Sequence, residues 1–126
     1  MADYFVNDDV LDAALSEVKD NATFQHLCSQ DPTSYAEVGT YSLANGSVTG
    51  TDFSIQNGDT SGRKLSIAEK TNGTITANGD GTYIAIVDGS RLLSVKPTTS
   101  TVSVTTSGTA TFEARDVMEI SDAGAA

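Results

Sequence analysis

Apolar positions follow a helical period at the start of the chain and a two-residue period after it. Val10, Leu11, Ala14, Leu15 and Val18 recur at helical spacing and form one stripe. Asn7 stands where a helix cap belongs, and Asp8, Asp9 and Asp12 lie near the positive end of the helix dipole. Val6 and Leu11 take the two positions of a hydrophobic staple. The spacing predicts a helix over 7–20 that frays near Asn21. From residue 23 onward, short apolar/polar alternations predict strands over 23–28, 40–43, 52–56, 64–69, 74–77, 82–87, 91–95, 101–106 and 111–120, the last bent or broken. Between them lie Asn45-Gly46, Asn57-Gly58, Asn72-Gly73, Asn78-Gly79-Asp80-Gly81 and Ser107-Gly108, residues that tolerate positive φ. The expected fold is mainly β, a β-sandwich or barrel-like antiparallel domain with one short N-terminal α-helix.

The most apolar stretch, Gly81 to Val95, surrounds Asp88-Gly89. Asp-Gly between apolar runs predicts a hairpin with a two-residue type I′ turn. That register sets Ile84 against Leu93, Thr82 against Val95 and Ile86 against Arg91, with Tyr83, Ala85, Val87 and Leu92 on the other face. Both faces are largely apolar, so both require a cover: a second sheet on one, the N-terminal helix or a neighbouring subunit on the other.

Composition changes this picture in two ways. The chain of 126 residues is 38% hydrophobic and 6% aromatic with no Trp, which suits one domain with a thin aliphatic core. Within it, 1–6 form an arm, 7–20 the helix, 23–120 the β-domain and 121–126 a loose tail. The net charge of −10 argues against nucleic acid as a partner and against an anionic membrane surface. The acid is uneven: residues 1–37 carry eight Asp/Glu against Lys19, a net of −7, which leaves −3 for the other residues. No secretory leader and no membrane-spanning run is read from the sequence, so synthesis in a cytoplasm is expected. A single Cys28 excludes an intramolecular disulfide. The three glycosylation-type sequons at Asn21, Asn45 and Asn72 are read as by-products of Ser/Thr richness.

Candidate chemistry is sparse. His26 and Cys28 are two apart on one predicted strand and share a face, but a reactive Cys–His pair needs a third group to orient the imidazole. A small buried hydrophobe is the preferred reading of Cys28, and zinc lacks two further ligands. The run Asn78-Gly-Asp80-Gly-Thr82 resembles part of a calcium loop, with Tyr83 where that loop requires glycine and without its terminal Glu. Gly58-Asp-Thr-Ser-Gly62 contains one copy of a string that aspartic proteases use in pairs. No phosphate loop, dinucleotide fingerprint or Ser-His-Asp arrangement is present. The expectation is no catalytic residue, no cofactor and no metal.

Several segments together resemble short structural proteins from the virion-assembly modules of tailed bacteriophages. They are Val6-Asn-Asp-Asp-Val-Leu-Asp-Ala-Ala-Leu15, Cys28-Ser-Gln-Asp-Pro-Thr-Ser-Tyr-Ala-Glu37, Ser61-Gly-Arg-Lys-Leu65, Gly81-Thr-Tyr-Ile-Ala-Ile-Val-Asp88 and Gly108-Thr-Ala-Thr-Phe112. Tyr83 departs from the His or Trp that relatives often carry. The resemblance implies a non-enzymatic particle component located on the capsid exterior. Its leading form is a capsid decoration (cement) protein that self-associates and binds between major capsid protein subunits. The alternatives are a tail, neck or fibre-base protein, and a host-surface or carbohydrate-binding module. Tyr4, Phe5 and Val6 of the arm are the expected interface residues, because exposed aromatic clusters mark interaction sites; the alternative is an arm that forms a short edge strand of its own sheet.

Overall fold

The structure is a computed structural model and describes residues 7–58 and 62–120. Its elements are α1 (Asp8–Asn21), β1 (Phe24–Cys28), α2 (Tyr35–Tyr41), β2 (Ser42–Ser47), a 3-10 turn (Gly50–Asp52), β3 (Phe53–Asn57), β4 (Arg63–Ile67), β5 (Lys70–Ile75), β6 (Gly79–Val87), β7 (Leu92–Val104), β8 (Thr109–Phe112) and β9 (Arg115–Ile120). Six strands form one sheet in the order β7-β6-β1-β2-β5-β8, and three form a second in the order β3-β4-β9. Every pairing among the described residues is antiparallel. The fold is mainly β with an N-terminal helix, of the sandwich or barrel-like class.

The side chain of Asn7 accepts the Asp9 N–H at 2.7 Å and starts α1 as the cap pattern predicts. The buried stripe of α1 is narrower than its apolar spacing suggests. Leu11, Leu15 and Val18 are buried, whereas Ala14 is exposed and Val10 is 60% exposed. Leu15, Val18 and Ala22 share a cluster with Phe53, Leu65, Ile67 and Val117 of the small sheet and with Ile86 of the large one. Val6, the other half of the expected staple, lies outside the described residues.

A second helix, α2, replaces the start of the strand expected over 40–43. Ser34 Oγ accepts the Glu37 N–H at 3.2 Å, and Glu37 Oε1 accepts both Thr33 N–H and Thr33 Oγ1–H at 2.7 Å. The Ser34 bond satisfies a donor that the helix start leaves open, and the two Thr33 bonds draw the Glu37 carboxyl below its ordinary range. The helix carries the buried Val38 and the half-buried Tyr41 onto Cys28, Ala85 and Val87. One face of β6 is therefore covered by α2, while α1 and the small sheet share the other. The expected division gave one face to a second sheet and the other to the N-terminal helix or a neighbouring subunit; instead α1 joins the small sheet on one face and α2 takes the other.

The β6–β7 hairpin forms, with a wider loop than a two-residue turn. Asp88 Oδ1 accepts the N–H groups of Ser90 (3.0 Å) and Arg91 (2.8 Å), and Asp88 N–H donates to Arg91 O at 3.2 Å. Gly89 supplies the positive φ of 103°. A bulge between Ile86 and Val87 then sets Val95 against Ala85, Ser94 against Ile86 and Lys96 against Ile84. Ile84 and Ile86 are buried as expected, while Leu93 is only half-buried. The strands expected over 91–95 and 101–106 are one continuous β7, and the long closing segment breaks into β8 and β9.

Three expected turns lie wholly or largely inside strands, among them Gly79, Asp80 and Gly81, which pair with Val104, Ser103 and Val102 in the β6–β7 ladder. Asn45 and Gly46 belong to β2 and pair with His26 and Gln25. Gly73 belongs to β5, opposite Ala110, where a Cβ would stand 2.8 Å from the Phe112 ring. Glycine is needed there for close approach, not for a turn.

Candidate functional site

The large sheet curls around an apolar interior of Leu27, Leu43, Ala44, Ile84, Val104, Ala110 and Phe112. A pocket of about 110 Å³ enters this interior at a bulge in β7. Gly81 pairs with Val102 and Tyr83 with Pro97, so residues 98–101 stand opposite Thr82 alone. Pro97 has no N–H to continue the ladder, which makes it a natural start for a bulge. Thr98 Oγ1 lies 2.7 Å from Ser100 O and 3.3 Å from Thr82 O, holding the bulge to its own backbone and to β6.

The bulge also reaches the other edge of the sheet. Thr99 Oγ1 lies 2.9 Å from Glu113 Oε2 and 3.2 Å from Oε1, and the Thr99 N–H donates to Oε1 at 3.4 Å. Glu113 follows β8, so this contact joins the two edge strands β7 and β8 across the pocket mouth. The floor is Leu27, Ile84, Val102, Ala110 and Phe112, and the rim carries the polar groups of Thr99, Ser100, Thr111 and Glu113. An apolar floor with a few convergent polar groups at its mouth is the usual composition of a small-ligand site.

Beside residues that line the pocket, Leu27 and Glu113, stands a polar pair that sequence reading missed. Gln25 is two residues before Leu27 on the same face of β1 and is fully buried. Its Oε1 accepts Arg115 Nη1–H at 3.1 Å, and the same Nη1 is 3.4 Å from Glu113 O. Among the described residues, Gln25 Nε2 and Arg115 Nε find no hydrogen-bond partner. Burial pushes the Arg115 guanidinium down to about 10, against a smaller upward pull from Glu113. Arg63 and Arg91 donate to carboxylates of Asp12, Asp88 and Glu17, whereas Arg115 donates to neutral oxygens. No local pattern marks these residues, because Gln25 and Arg115 meet only through the packing of two sheets.

The other sequence-derived candidates separate clearly. His26 and Cys28 do share the outer face of β1, and Ser42 is the group that orients the imidazole. His26 Nδ1 is 2.9 Å from Ser42 Oγ, which lies 3.2 Å from Ala44 O. Both contacts are satisfied when Nδ1–H donates to Ser42 and Ser42 donates to Ala44. Burial lowers the His26 pKa. The Cys28 thiol is fully buried, pushed up to about 11 by burial, and directed at His26 O rather than at the ring. It is a packed thiol of low nucleophilicity.

In the calcium-like run, Asn78 Oδ1 accepts Thr106 N–H at 2.8 Å and Asp80 Oδ1 accepts Ser103 Oγ–H at 2.7 Å, so these oxygens serve the β6–β7 pairing. Among the described residues no three or more of His, Cys, Asp or Glu gather as a metal site. Asp59, Thr60 and Ser61 of the protease-like string lie outside the described residues. So do the expected interface residues Tyr4, Phe5 and Val6. Among the described residues no helix is long and apolar enough to cross a membrane. No protein-family model, no curated protein and no solved structure matches the chain.

Proposed function

We propose that the chain is a non-enzymatic structural protein of a phage virion, a capsid decoration protein that binds between major capsid protein subunits on the outside of the head. The observation that carries this reading is the outward placement of acid on α1. Asp8, Asp9, Glu17 and Asp20 are all exposed, on the helix that follows Tyr4, Phe5 and Val6 in the chain. Such a surface complements a basic groove between subunits, which would steer docking and set its register. Attachment at many equivalent lattice positions, through copies that also contact one another, makes modest single contacts sufficient. The mainly β fold with an N-terminal helix and the phage-like segments are consistent with this role.

The test is deletion of residues 1–5, which leaves Val6 and Asn7 at the helix start. The expected product is folded and of near-normal stability, yet fails to bind expanded heads, while the full chain is recovered at a copy number matching the capsid. Normal head binding after the deletion refutes the arm as the interface. Full-length protein found in six or twelve copies per particle would assign it instead to a tail or neck ring.

A second reading has its own support. Phe24 and Tyr35 are each 42% exposed, and exposed rings are what a carbohydrate-binding module uses as platforms. Retention of the isolated protein on glycans, lost with Phe24→Ala or Tyr35→Ala, would favour that reading over the capsid one.

A further inference from the structure

From the pocket between the β7 bulge and the end of β8, we infer a binding site for a small branched aliphatic group that carries an ammonium or hydroxyl. This inference does not depend on the virion reading. Size limits the apolar part. An apolar cavity of about 150 Å³ holds the six carbons of benzene, and the pocket volume is about 110 Å³. By that proportion it takes a group of about four carbons. The floor offers only hydrocarbon: Leu27, Ile84 and Ala110 are each 3% exposed or less, and the Phe112 ring is 2% exposed.

The polar end is decided at the mouth. Glu113 carries the formal charge among the residues that line the pocket. Its two oxygens accept from Thr99, which fixes their direction and leaves acceptor capacity, because a carboxylate has about four lone-pair sites. A donor at the ligand's end can therefore join this arrangement, whereas an anion meets repulsion. Arg115 does not line the pocket, and its Nη1 is turned to Gln25 Oε1 and Glu113 O. The recognised class is thus cationic or hydroxylic, and not carboxylic.

The experiment titrates the full chain with isobutylammonium, isobutanol and isovalerate while methyl NMR signals of Leu27, Ile84 and Val102 are followed. Isobutylammonium is expected to give saturable shifts confined to these methyls, with a dissociation constant on the order of millimolar for so small a ligand. Isobutanol should bind more weakly and isovalerate weakest. Glu113→Gln should weaken isobutylammonium by about three- to tenfold and isobutanol by less than about twofold, as expected when one charge-assisted contact is lost near the surface. Ala110→Leu should abolish the shifts by filling the floor. Val102→Ile, a gentler filler at a half-buried position, should weaken binding severalfold if the first variant does not fold. Absence of saturable shifts overturns the site, as do shifts that persist unchanged in the filled variants. Isovalerate binding as tightly as isobutylammonium overturns the assigned ligand class.

Discussion

Gly81→Ala tests how tightly the curled sheet is closed over its interior. A Cβ at position 81 would overlap Cγ, Cδ1 and Cδ2 of Leu27, so the leucine must move. Leu27 is 3% exposed and packs in the same cluster as Leu43, Ile84 and Phe112, which leaves little free space for that movement. Overpacking of this kind, the strained leucine rotamer included, costs about 1–3 kcal/mol. The expected loss is about 1–3 kcal/mol, survivable for a domain whose total stability is about 5–15 kcal/mol. Leu27→Ala alone should cost about 2–5 kcal/mol as a buried large-to-small change. Combined, the two changes should partly cancel, because the methyl group added at position 81 occupies space that the leucine vacates. Urea unfolding of the wild type, both single variants and the double variant measures the coupling, expected at about 1–2 kcal/mol in the compensating sense. A Gly81→Ala loss below about 0.5 kcal/mol, or strict additivity in the double variant, would refute the close contact between β6 and Leu27.

Three further outcomes follow from burial and charge. Ile84→Ala should lower stability by about 2–5 kcal/mol and Leu93→Ala by clearly less, since Leu93 is half-buried; equal losses in a denaturant series would contradict the bulged register of the hairpin. The Cys28 thiol, raised to about 11 and fully buried, should react with a thiol reagent only as fast as the protein opens, with no burst in native buffer. Asp88 is held down to about 2 by the Ser90 N–H, the Arg91 guanidinium and the Arg91 N–H, against an ordinary value of 3.8. Because its folded value is the lower one, its contribution is full above the ordinary value and is lost as pH falls through the folded one. The gap in urea midpoint between wild type and Asp88→Asn should therefore be constant above about pH 5 and close toward about pH 2. A gap that does not change with pH would contradict the role given to this carboxylate.

What the sequence by itself determined is what neighbours along the chain decide. The Asn7 cap, the Leu11, Leu15 and Val18 stripe, and the apolar run of β6 depend on residues a few places apart. Ser34 and Glu37 show that a local signal can also be overlooked: Ser-x-x-Glu is a helix-start pattern, yet the Thr and Tyr that follow favour reading a strand. Asp88-Gly89 announced a hairpin but not its width, because the carboxylate accepts two N–H groups where a two-residue turn offers no such bonds.

Only the tertiary structure decided the rest. Asn45-Gly46 and Asn72-Gly73 have turn chemistry but lie in strands, since neighbouring strands supply ladder partners and Phe112 demands a residue without a side chain beside it. The four-residue bulge after Pro97, the Thr99–Glu113 contact and the pocket they frame arise from how β6, β7 and β8 are brought together. The Gln25–Arg115 pair joins residues 90 positions apart in the chain. Such meetings depend on strand register and sheet curvature, which are set by the packing of all the strands at once and leave no mark at either residue's place in the sequence.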